Sequence, residues 1–164
     1  MSGILVYADG SCIGSGRRCP GGYAALILDG RTEHVVTGRE PETTSTAMEL
    51  MGVIRALETL PAGRAVTVVT DSRAVITGAT ERLPWWRSRR WRIVKGGKVA
   101  DRVLWQRLSA LMEGRVITWR WVRGHAGDEL NERVHALAQA EARAACLTAR
   151  SAARSGGAGA GGCG

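Results

Sequence analysis

Apolar and polar residues follow two periodicities along most of this chain. Short apolar or alternating runs bounded by glycine, proline or aspartate predict strands, which cover residues 4–8, 23–28, 33–38, 65–70 and 116–122. Apolar residues three and four positions apart predict helices, which run from a cap among residues 43–46 to residue 60, and over residues 72–79, 100–112 and 129–148. The first long helix shows this spacing clearly, because Leu50, Val53 and Leu57 share one face.

The element order βββαβααβα predicts one α/β domain in which helices flank a mixed five-stranded sheet. A chain of 164 residues is long enough for one such domain, which we place at residues 1–148. Residues 149–164 are rich in glycine and alanine and predict a flexible tail or linker. No apolar run approaches the roughly 18 residues of a membrane span, and the first residues do not resemble a secretion signal. We therefore expect a cytoplasmic protein that does not associate with membranes.

Basic residues are concentrated in one segment of the chain. The net charge of the chain is +8. Residues 82–107 hold nine basic residues and one acid, so this segment alone has a charge equal to that of the whole chain. The same segment holds four of the six tryptophans; we expect Trp105 in the core and the Trp85–Trp86 pair at the surface. Arginines interleaved with aromatic residues are typical of a surface that follows nucleic-acid phosphates, although net charge alone also fits a merely solvated basic face.

The four cysteines do not form a recognisable metal site. Cys12, Cys19, Cys146 and Cys163 include no C-x-x-C pair, and no histidine stands at metal-ligand spacing from them. We therefore expect free thiols rather than a zinc site.

Three acidic residues stand where predicted elements begin or end. Asp9 follows the first strand, Asp71 follows the fourth, and Glu49 lies near the start of the first long helix. Each has an ordinary structural explanation, since aspartate is common in turns and helix caps and glutamate is favourable near a helix N-terminus. Taken singly, none of them predicts catalysis.

Together with the residues around them, these acids indicate a family. The segments are Tyr-Ala-Asp-Gly-Ser-Cys at 7–12, Thr-Ser-Thr-Ala-Met-Glu-Leu at 44–50, Val-Thr-Asp-Ser at 69–72 and Trp-Val-Arg-Gly-His-Ala-Gly at 121–127. In this order and spacing the chain resembles type 1 ribonuclease H, which cuts the RNA strand of an RNA–DNA hybrid. The resemblance covers residues 4–145 and includes the family's basic protrusion, so it implies a ribonuclease H-like fold.

The resemblance implies a metal-dependent active site. Asp9 and Asp71 would converge on neighbouring parallel strands, with Glu49 reaching in from the helix. The family holds two Mg²⁺ ions between such carboxylates, one helping to generate the attacking water and the other stabilising the leaving 3′ oxygen. His125 matches the family's loop histidine, to which proton transfer or product release is ascribed.

One position departs from the family's metal site. Where the family has a fourth carboxylate, this chain has His135, and the matching residues 131–133 and 137–138 fix that register. An imidazole can ligate a metal, but it is neutral, bulkier and softer than a carboxylate. We therefore expect His135 as a metal ligand, a weaker affinity for Mg²⁺, and Mn²⁺ as a substitute that is relatively better bound. The alternative is a site that His135 has disabled.

Other departures lie at positions that contact substrate in the family. Ser15, Ser45 and Thr46 stand where asparagines often contact RNA 2′-hydroxyls, and Arg73 stands where a glutamine is common. Thr44 is retained in the pocket for a DNA phosphate, whereas Glu42 and Asp101 replace residues that favour phosphate there. The residues expected to grip the DNA strand are Trp85, Trp86, Arg87, Arg89, Arg90 and Trp91.

The sequence therefore predicts an endonuclease that hydrolyses the RNA strand of RNA–DNA hybrids with two metal ions and acts as a monomer. A catalytically impaired module that binds hybrids or duplex RNA is the first alternative. A nuclease of the same broad fold acting on another substrate, such as branched DNA, is the second.

Overall fold

The computed structural model describes residues 3–156. Its strands are β1 (Ile4–Cys12), β2 (Cys19–Asp29), β3 (Thr32–Thr43), β4 (Val66–Thr70) and β5 (Ile117–Trp121). Its helices are α1 (Ser45–Thr59), α2 (Arg73–Thr77), α3 (Leu83–Ser88), α4 (Arg102–Met112) and α5 (Glu129–Gly156), with a π-helical turn at Gly78–Arg82 between α2 and α3.

The five strands form one mixed sheet in the order β3-β2-β1-β4-β5, which confirms the predicted fold class. The pairs β1–β2 and β2–β3 are antiparallel, whereas β1–β4 and β4–β5 are parallel. In the β1–β4 pair, Tyr7 lies opposite Val69. Asp9 and Asp71 each follow two residues later, so both emerge at the same edge of the sheet.

Helices cover both faces of the central strands. On one face Val6 and Ala8 pack with Leu50 and Val53 of α1. On the other, Tyr7 packs in a cluster with Val134 of α5. Burial on both faces explains why β1 is a continuous apolar run rather than an alternating one.

Helix α1 begins at a cap and lies very close to the sheet. The Thr44 hydroxyl accepts a hydrogen bond from the Ala47 N–H at 3.1 Å, which satisfies one of the free N–H groups of the first turn. Further along, a Cβ added at Gly52 would lie 3.0 Å from the Ala24 carbonyl oxygen and 3.2 Å from that of Asp9. This close approach brings the first turns of α1 to the end of β1.

The last helix is longer than predicted. We expected it to end near residue 148, but α5 continues to Gly156. Alanine-rich sequence has the highest helix propensity, and it extends the helix into the predicted tail. Residues 157–164 lie outside the described residues. The boundary between the domain and its tail, placed at residue 148, stays a prediction.

The cysteines differ from expectation at one position. Cys12 and Cys19 are free thiols, but Cys146 is disulfide-bonded. Pairing depends on proximity in three dimensions, which residue spacing does not provide; Cys163 lies outside the described residues. Within residues 3–156, no helix is long and apolar enough to cross a bilayer.

Gly22 provides a test of the contact between α5 and the sheet. A Cβ at this position would lie 2.4 Å from the Glu141 Cβ and 2.5 Å from the Ala142 nitrogen. We expect Gly22→Ala to lower the free energy of unfolding by about 2 kcal/mol, because helix backbone cannot move aside cheaply. Urea denaturation measures this effect.

The matched control is Gly156→Ala, because an added Cβ there meets nothing within 4 Å. We expect this control to be neutral or slightly stabilising. Equal effects of the two variants would show that contact with α5 does not limit residue size at position 22.

Candidate active site

Three carboxylates meet at the edge of the sheet where β1 and β4 end. One oxygen each from Asp9, Glu49 and Asp71 lies within 4.8 Å of the others. Asp9 is on β1, Asp71 is the first residue after β4, and Glu49 is in the second turn of α1. The structure therefore brings together the three acids singled out from the sequence.

Short hydrogen bonds hold two of these carboxylates in place. Asp9 Oδ1 accepts a hydrogen bond from the Gly10 N–H at 2.8 Å. Glu49 Oε2 accepts one from the Ser72 hydroxyl at 2.6 Å. A Cβ at Gly10 would lie 2.3 Å from the Glu49 nitrogen, so only glycine allows α1 this close to β1.

Burial and mutual repulsion oppose ionisation of the cluster. Burial, together with the nearby charges of Asp9 and Asp71, raises the pKa of Glu49 to about 7, although the Ser72 hydroxyl acts in the opposite direction. Burial first, and Asp71 second, also raise the pKa of Asp9, while the hydrogen bond to His135 lowers it. A bound divalent cation would remove the repulsion, and oxygen donors are those that Mg²⁺ prefers. The residues present therefore fit a hard divalent metal ion.

His135 contacts this cluster at one point. Its Nδ1 lies 2.7 Å from Asp9 Oδ2, on the side away from the Gly10 hydrogen bond. Within residues 3–156, the group whose ligand atoms all lie close enough for one cation contains the three carboxylates and not His135. The imidazole thus borders the cluster as a hydrogen-bond partner of Asp9.

His125 is on the loop between β5 and α5, and its side chain lies next to that of His135 in α5. The two imidazole rings meet edge to face, with centroids 4.9 Å apart. His125 is exposed and has a positive φ of 56°, a conformation that is uncommon outside glycine. Gly124 brings this loop against the cluster, because a Cβ there would lie 2.9 Å from Asp71 Oδ2. The loop therefore places an exposed imidazole beside the acidic site.

The hydroxyl residues predicted to contact substrate lie around the start of α1 and in the loop after β1. Ser45 and Thr46 are in the first turn of α1, about one helical turn before Glu49, whereas Ser15 is exposed between β1 and β2. The Thr44 hydroxyl already accepts the α1 cap hydrogen bond. Arg73 is in the first turn of α2, with its guanidinium 4.0 Å from the centre of the Trp121 ring.

The basic segment, residues 82–107, is called the protrusion after the family feature that it resembles, and tryptophans tie it to the core. Trp86 is only 7% exposed, and its ring lies 5.2 Å from that of Trp105 and 6.2 Å from that of Trp91. The expectation of an exposed Trp85–Trp86 pair is therefore wrong for Trp86, because it fills the base of the protrusion. Trp85 is 37% exposed, and the Arg89 guanidinium lies 4.5 Å from its ring centre.

The arginines of the protrusion are not equivalent. Arg87 Nε donates to the Ser109 hydroxyl at 2.6 Å, and its Nη2 also donates to that residue. Arg87 therefore joins the protrusion to α4. Arg89, Arg90 and Arg92 are exposed, and Arg90 and Trp91 both have positive φ values, of 52° and 63°.

Two residues of the site were not selected from the sequence. Ser72 was predicted only as part of a common helix cap; it does cap α2, and it also donates to Glu49. Trp121 was identified within a motif but received no role, yet its indole N–H donates to the Asp71 carbonyl oxygen at 3.1 Å. A cap residue directly after a candidate acid is a signal that could have identified Ser72.

Comparison with known proteins gives these residues a family context. A family model described as RNase H matches residues 1–143. The chain is 45% identical to the ribonuclease H of Thiobacillus denitrificans over 135 residues, 82% of this chain and 90% of that protein. It is 44% identical to the ribonuclease H of Xanthomonas oryzae pv. oryzae over 144 residues, 88% of this chain and 95% of that protein.

A solved structure shows the same likeness in three dimensions. It is the crystal structure of LC9-RNase H1, described as a type 1 RNase H with the type 2 active-site motif. The TM-score is 0.78 at 35% identity, and the match covers 86% of this chain and 72% of that one.

The raised pKa of Glu49 predicts how stability depends on pH without divalent cations. In the unfolded chain Glu49 ionises near its ordinary pKa of 4.5, but in the fold it does so near 7. Between these values the folded state binds the extra proton, so in EDTA stability should fall as pH rises. Glu49→Gln should remove much of this fall in stability. In EDTA at pH 8 the variant should be more stable than the wild type by on the order of 2 kcal/mol.

Thermal denaturation at several pH values, with EDTA or with Mg²⁺, checks this prediction. Mg²⁺ should flatten the wild-type profile by stabilising the ionised carboxylates. Glu81→Gln, which changes an exposed carboxylate outside the cluster, is the control and should leave the profile unaltered. A wild-type stability in EDTA that rises from pH 5 to 7 would contradict the prediction.

Proposed function

This chain belongs to the ribonuclease H family, and we propose that its acidic cluster is the catalytic centre at which two divalent cations are bound. As a ribonuclease H, it is a metal-dependent endoribonuclease that cleaves the RNA strand of RNA–DNA hybrids. The observation that carries the assignment of the centre is the convergence of Asp9, Glu49 and Asp71, with oxygen atoms within 4.8 Å.

In this proposal Asp9, Glu49 and Asp71 hold the metal ions. Mg²⁺ bound there would lower the pKa of a water nucleophile and stabilise the departing 3′ oxygen. The cluster's repulsion supports the assignment, because carboxylates that resist joint ionisation bind a cation with release of protons. Ser72 keeps one Glu49 oxygen in place by donating to it, so the Glu49 carboxylate is oriented before any cation arrives.

We assign His125 to proton transfer. Its ring is exposed beside the cluster, and its loop approaches Asp71 closely at Gly124. Imidazole nitrogens exchange protons near neutral pH. A ring in this position would accept a proton during attack, or pass one to the product as it leaves.

We assign His135 to the fourth position of the metal site. It brings a neutral nitrogen donor in place of a carboxylate, so the site holds less negative charge and should bind Mg²⁺ more weakly. Mn²⁺ accepts nitrogen ligands more readily and should be the better activator of the two. The contact of Nδ1 with Asp9 Oδ2 supports the assignment, because it puts the ring directly beside a proposed ligand.

The substrate contacts follow from the shape of a hybrid duplex. Hydroxyls of Ser15, Ser45 and Thr46 are proposed to contact RNA 2′-hydroxyls in the wide, shallow minor groove. Arg73 is proposed to contact a backbone phosphate, and Thr44 a phosphate of the DNA strand. The protrusion residues proposed to follow the DNA strand are Trp85, Arg89, Arg90 and Trp91, with Arg87 and the buried Trp86 supporting them. We further propose a cytoplasmic monomer.

One observation favours a second function. Because His135 replaces an acid and is hydrogen-bonded to Asp9, the site could bind a hybrid without cutting it efficiently. In that case the chain would serve mainly as a hybrid-binding module.

Cleavage of a labelled RNA–DNA hybrid in Mg²⁺ or Mn²⁺ separates the two functions. We expect metal-dependent cleavage that is higher in Mn²⁺ and falls at least about 100-fold in Asp71→Asn, which removes a metal-ligand charge. His135→Asp should raise Mg²⁺ affinity about tenfold and lower the Mn²⁺/Mg²⁺ activity ratio. No cleavage by the wild type, with activity restored in His135→Asp, would instead establish the binding module.

Pulsed electron paramagnetic resonance of bound Mn²⁺ tests the role of His135 without turnover. We expect a ¹⁴N coupling in the wild type that is absent in His135→Asp. A wild type without this coupling would show that His135 is only a hydrogen-bond partner of Asp9.

The protrusion is tested by replacing the three exposed arginines 89, 90 and 92 with alanine together. We expect at least about tenfold weaker hybrid binding and a shallower dependence of log K on log salt, because fewer counterions are released. The value of kcat should change less than KM. Fluorescence anisotropy over a salt series measures the effect.

Two controls accompany this variant. The exposed arginines 31, 143 and 154 lie on the β2–β3 turn and on α5; their joint replacement by alanine removes the same charge elsewhere. Arg87→Ala should lower stability more than affinity, since it breaks the link to Ser109. Equal losses of affinity in the two triple variants would mean that only net charge matters.

A further inference from the structure

Trp121 contacts two functional residues that follow β4. Its indole Nε1–H donates to the main-chain carbonyl oxygen of Asp71 at 3.1 Å. Asp71 is the first residue beyond the strand, and the side chain of Trp121 provides a hydrogen-bond partner at this point. The contact fixes the backbone from which the Asp71 carboxylate projects into the acidic cluster.

The face of the same indole ring carries Arg73. The guanidinium carbon lies 4.0 Å from the ring centre, within the range of a cation–π contact. Among the described residues, no carboxylate lies within ion-pair distance of Arg73. Stacking orients a guanidinium but leaves its N–H donors, which lie in the plane of the group, available to another partner.

The position of Trp121 is unusual for a tryptophan that serves only to fill the core. It is 40% exposed at the end of β5, whereas Trp119, two residues earlier, packs against the main core cluster. The exposed Trp121 ring lies between Asp71 and Arg73. Its N–H contacts the main chain of the proposed metal ligand, and its face contacts the arginine.

We propose that Trp121 is a positioning residue that aligns Arg73 with a backbone phosphate of the bound strand and fixes the main chain of Asp71. The proposal rests on the substrate contact assigned to Arg73 above. It predicts that the two parts of one side chain act on different kinetic constants. The N–H supports chemistry through Asp71, and the ring face supports binding through Arg73.

Substitutions at Trp121 separate these two parts. Trp121→Phe keeps an aromatic face but removes the N–H, so kcat should fall about tenfold, as for one lost hydrogen bond to a site residue, with KM within about twofold. Trp121→Leu removes both parts and should in addition raise KM about fivefold. A KM near the wild-type value in Trp121→Phe, together with a raised KM in Trp121→Leu, is a result that simple loss of packing would not produce.

Arg73 provides the complementary test. Arg73→Gln should raise KM about fivefold with little change in kcat, and should reduce the salt slope of hybrid binding by about one phosphate contact. Combining Arg73→Gln with Trp121→Leu should raise KM no further than either change alone, because both remove the same contact. Additive effects on KM would overturn the role of the ring face.

Two readouts do not depend on turnover. Calorimetric titration with Mn²⁺ should show weaker binding in Trp121→Phe but unchanged binding in Arg73→Gln. Hybrid affinity without divalent cations should show the reverse. If the wild type failed to cleave, these two measurements would still test the proposal separately from the catalytic function.

The matched controls are Trp119→Phe on the same strand and Arg31→Gln at the β2–β3 turn. Both make the same chemical change away from the site, and they should leave kcat, KM and metal affinity within about twofold. If Trp121→Phe resembled Trp119→Phe in all three quantities and differed only in melting temperature, Trp121 would be a structural residue and the proposal would be wrong.

Discussion

The arrangement of this protein depends on holding three carboxylates against their mutual repulsion. Asp9, Glu49 and Asp71 lie together at one edge of the sheet, where burial and the neighbouring carboxylates raise the pKa values of Asp9 and Glu49. The parallel pairing of β1 with β4 brings two of them together, and the approach of α1 at Gly10 and Gly52 adds the third. Glycine permits these close backbone contacts, which keep the carboxylates near one another despite their repulsion. A bound cation would relieve this repulsion, so the repulsion between the carboxylates favours cation binding.

In the proposed metal site, His135 takes the place of a fourth carboxylate and so alters the charge of the site but not this framework. A fourth carboxylate would add repulsion in the free protein and attraction for a metal ion. The imidazole adds no such repulsion, and its hydrogen bond to Asp9 opposes the rise in the pKa of Asp9 that burial imposes. In the proposed role of His135, the site would form more easily without a metal ion and would bind hard cations more weakly. In that role, a change at position 135 would be expected to alter the choice of metal.

Residue patterns predicted the parts of the structure that depend on local or repeated features. The apolar run of β1 and the helical spacing of α1 gave the strand and the helix that carry Asp9 and Glu49, and their order gave the sheet. Side-chain contacts between distant elements were not predictable. The burial of Trp86 against Trp105, the link between Arg87 and Ser109, and the disulfide bond of Cys146 all depend on tertiary geometry. The extension of α5 was missed because glycine and alanine were interpreted together, although alanine alone favours helix.

Binding and chemistry place different demands on the two halves of the proposed substrate surface. In the proposed function, the exposed arginines on the protrusion would act through charge over several ångströms, so moderate imprecision in their positions would be tolerated. The catalytic edge acts through contacts of about 3 Å, where small displacements are costly. The tilted contact between the Trp86 and Trp105 rings, with Gly78 against the Trp105 ring, joins the base of the protrusion to the core. A bound duplex would thus be held relative to the acids by packed aromatic side chains rather than by a flexible arm. Packing at this base would limit the conformational entropy lost when a substrate binds.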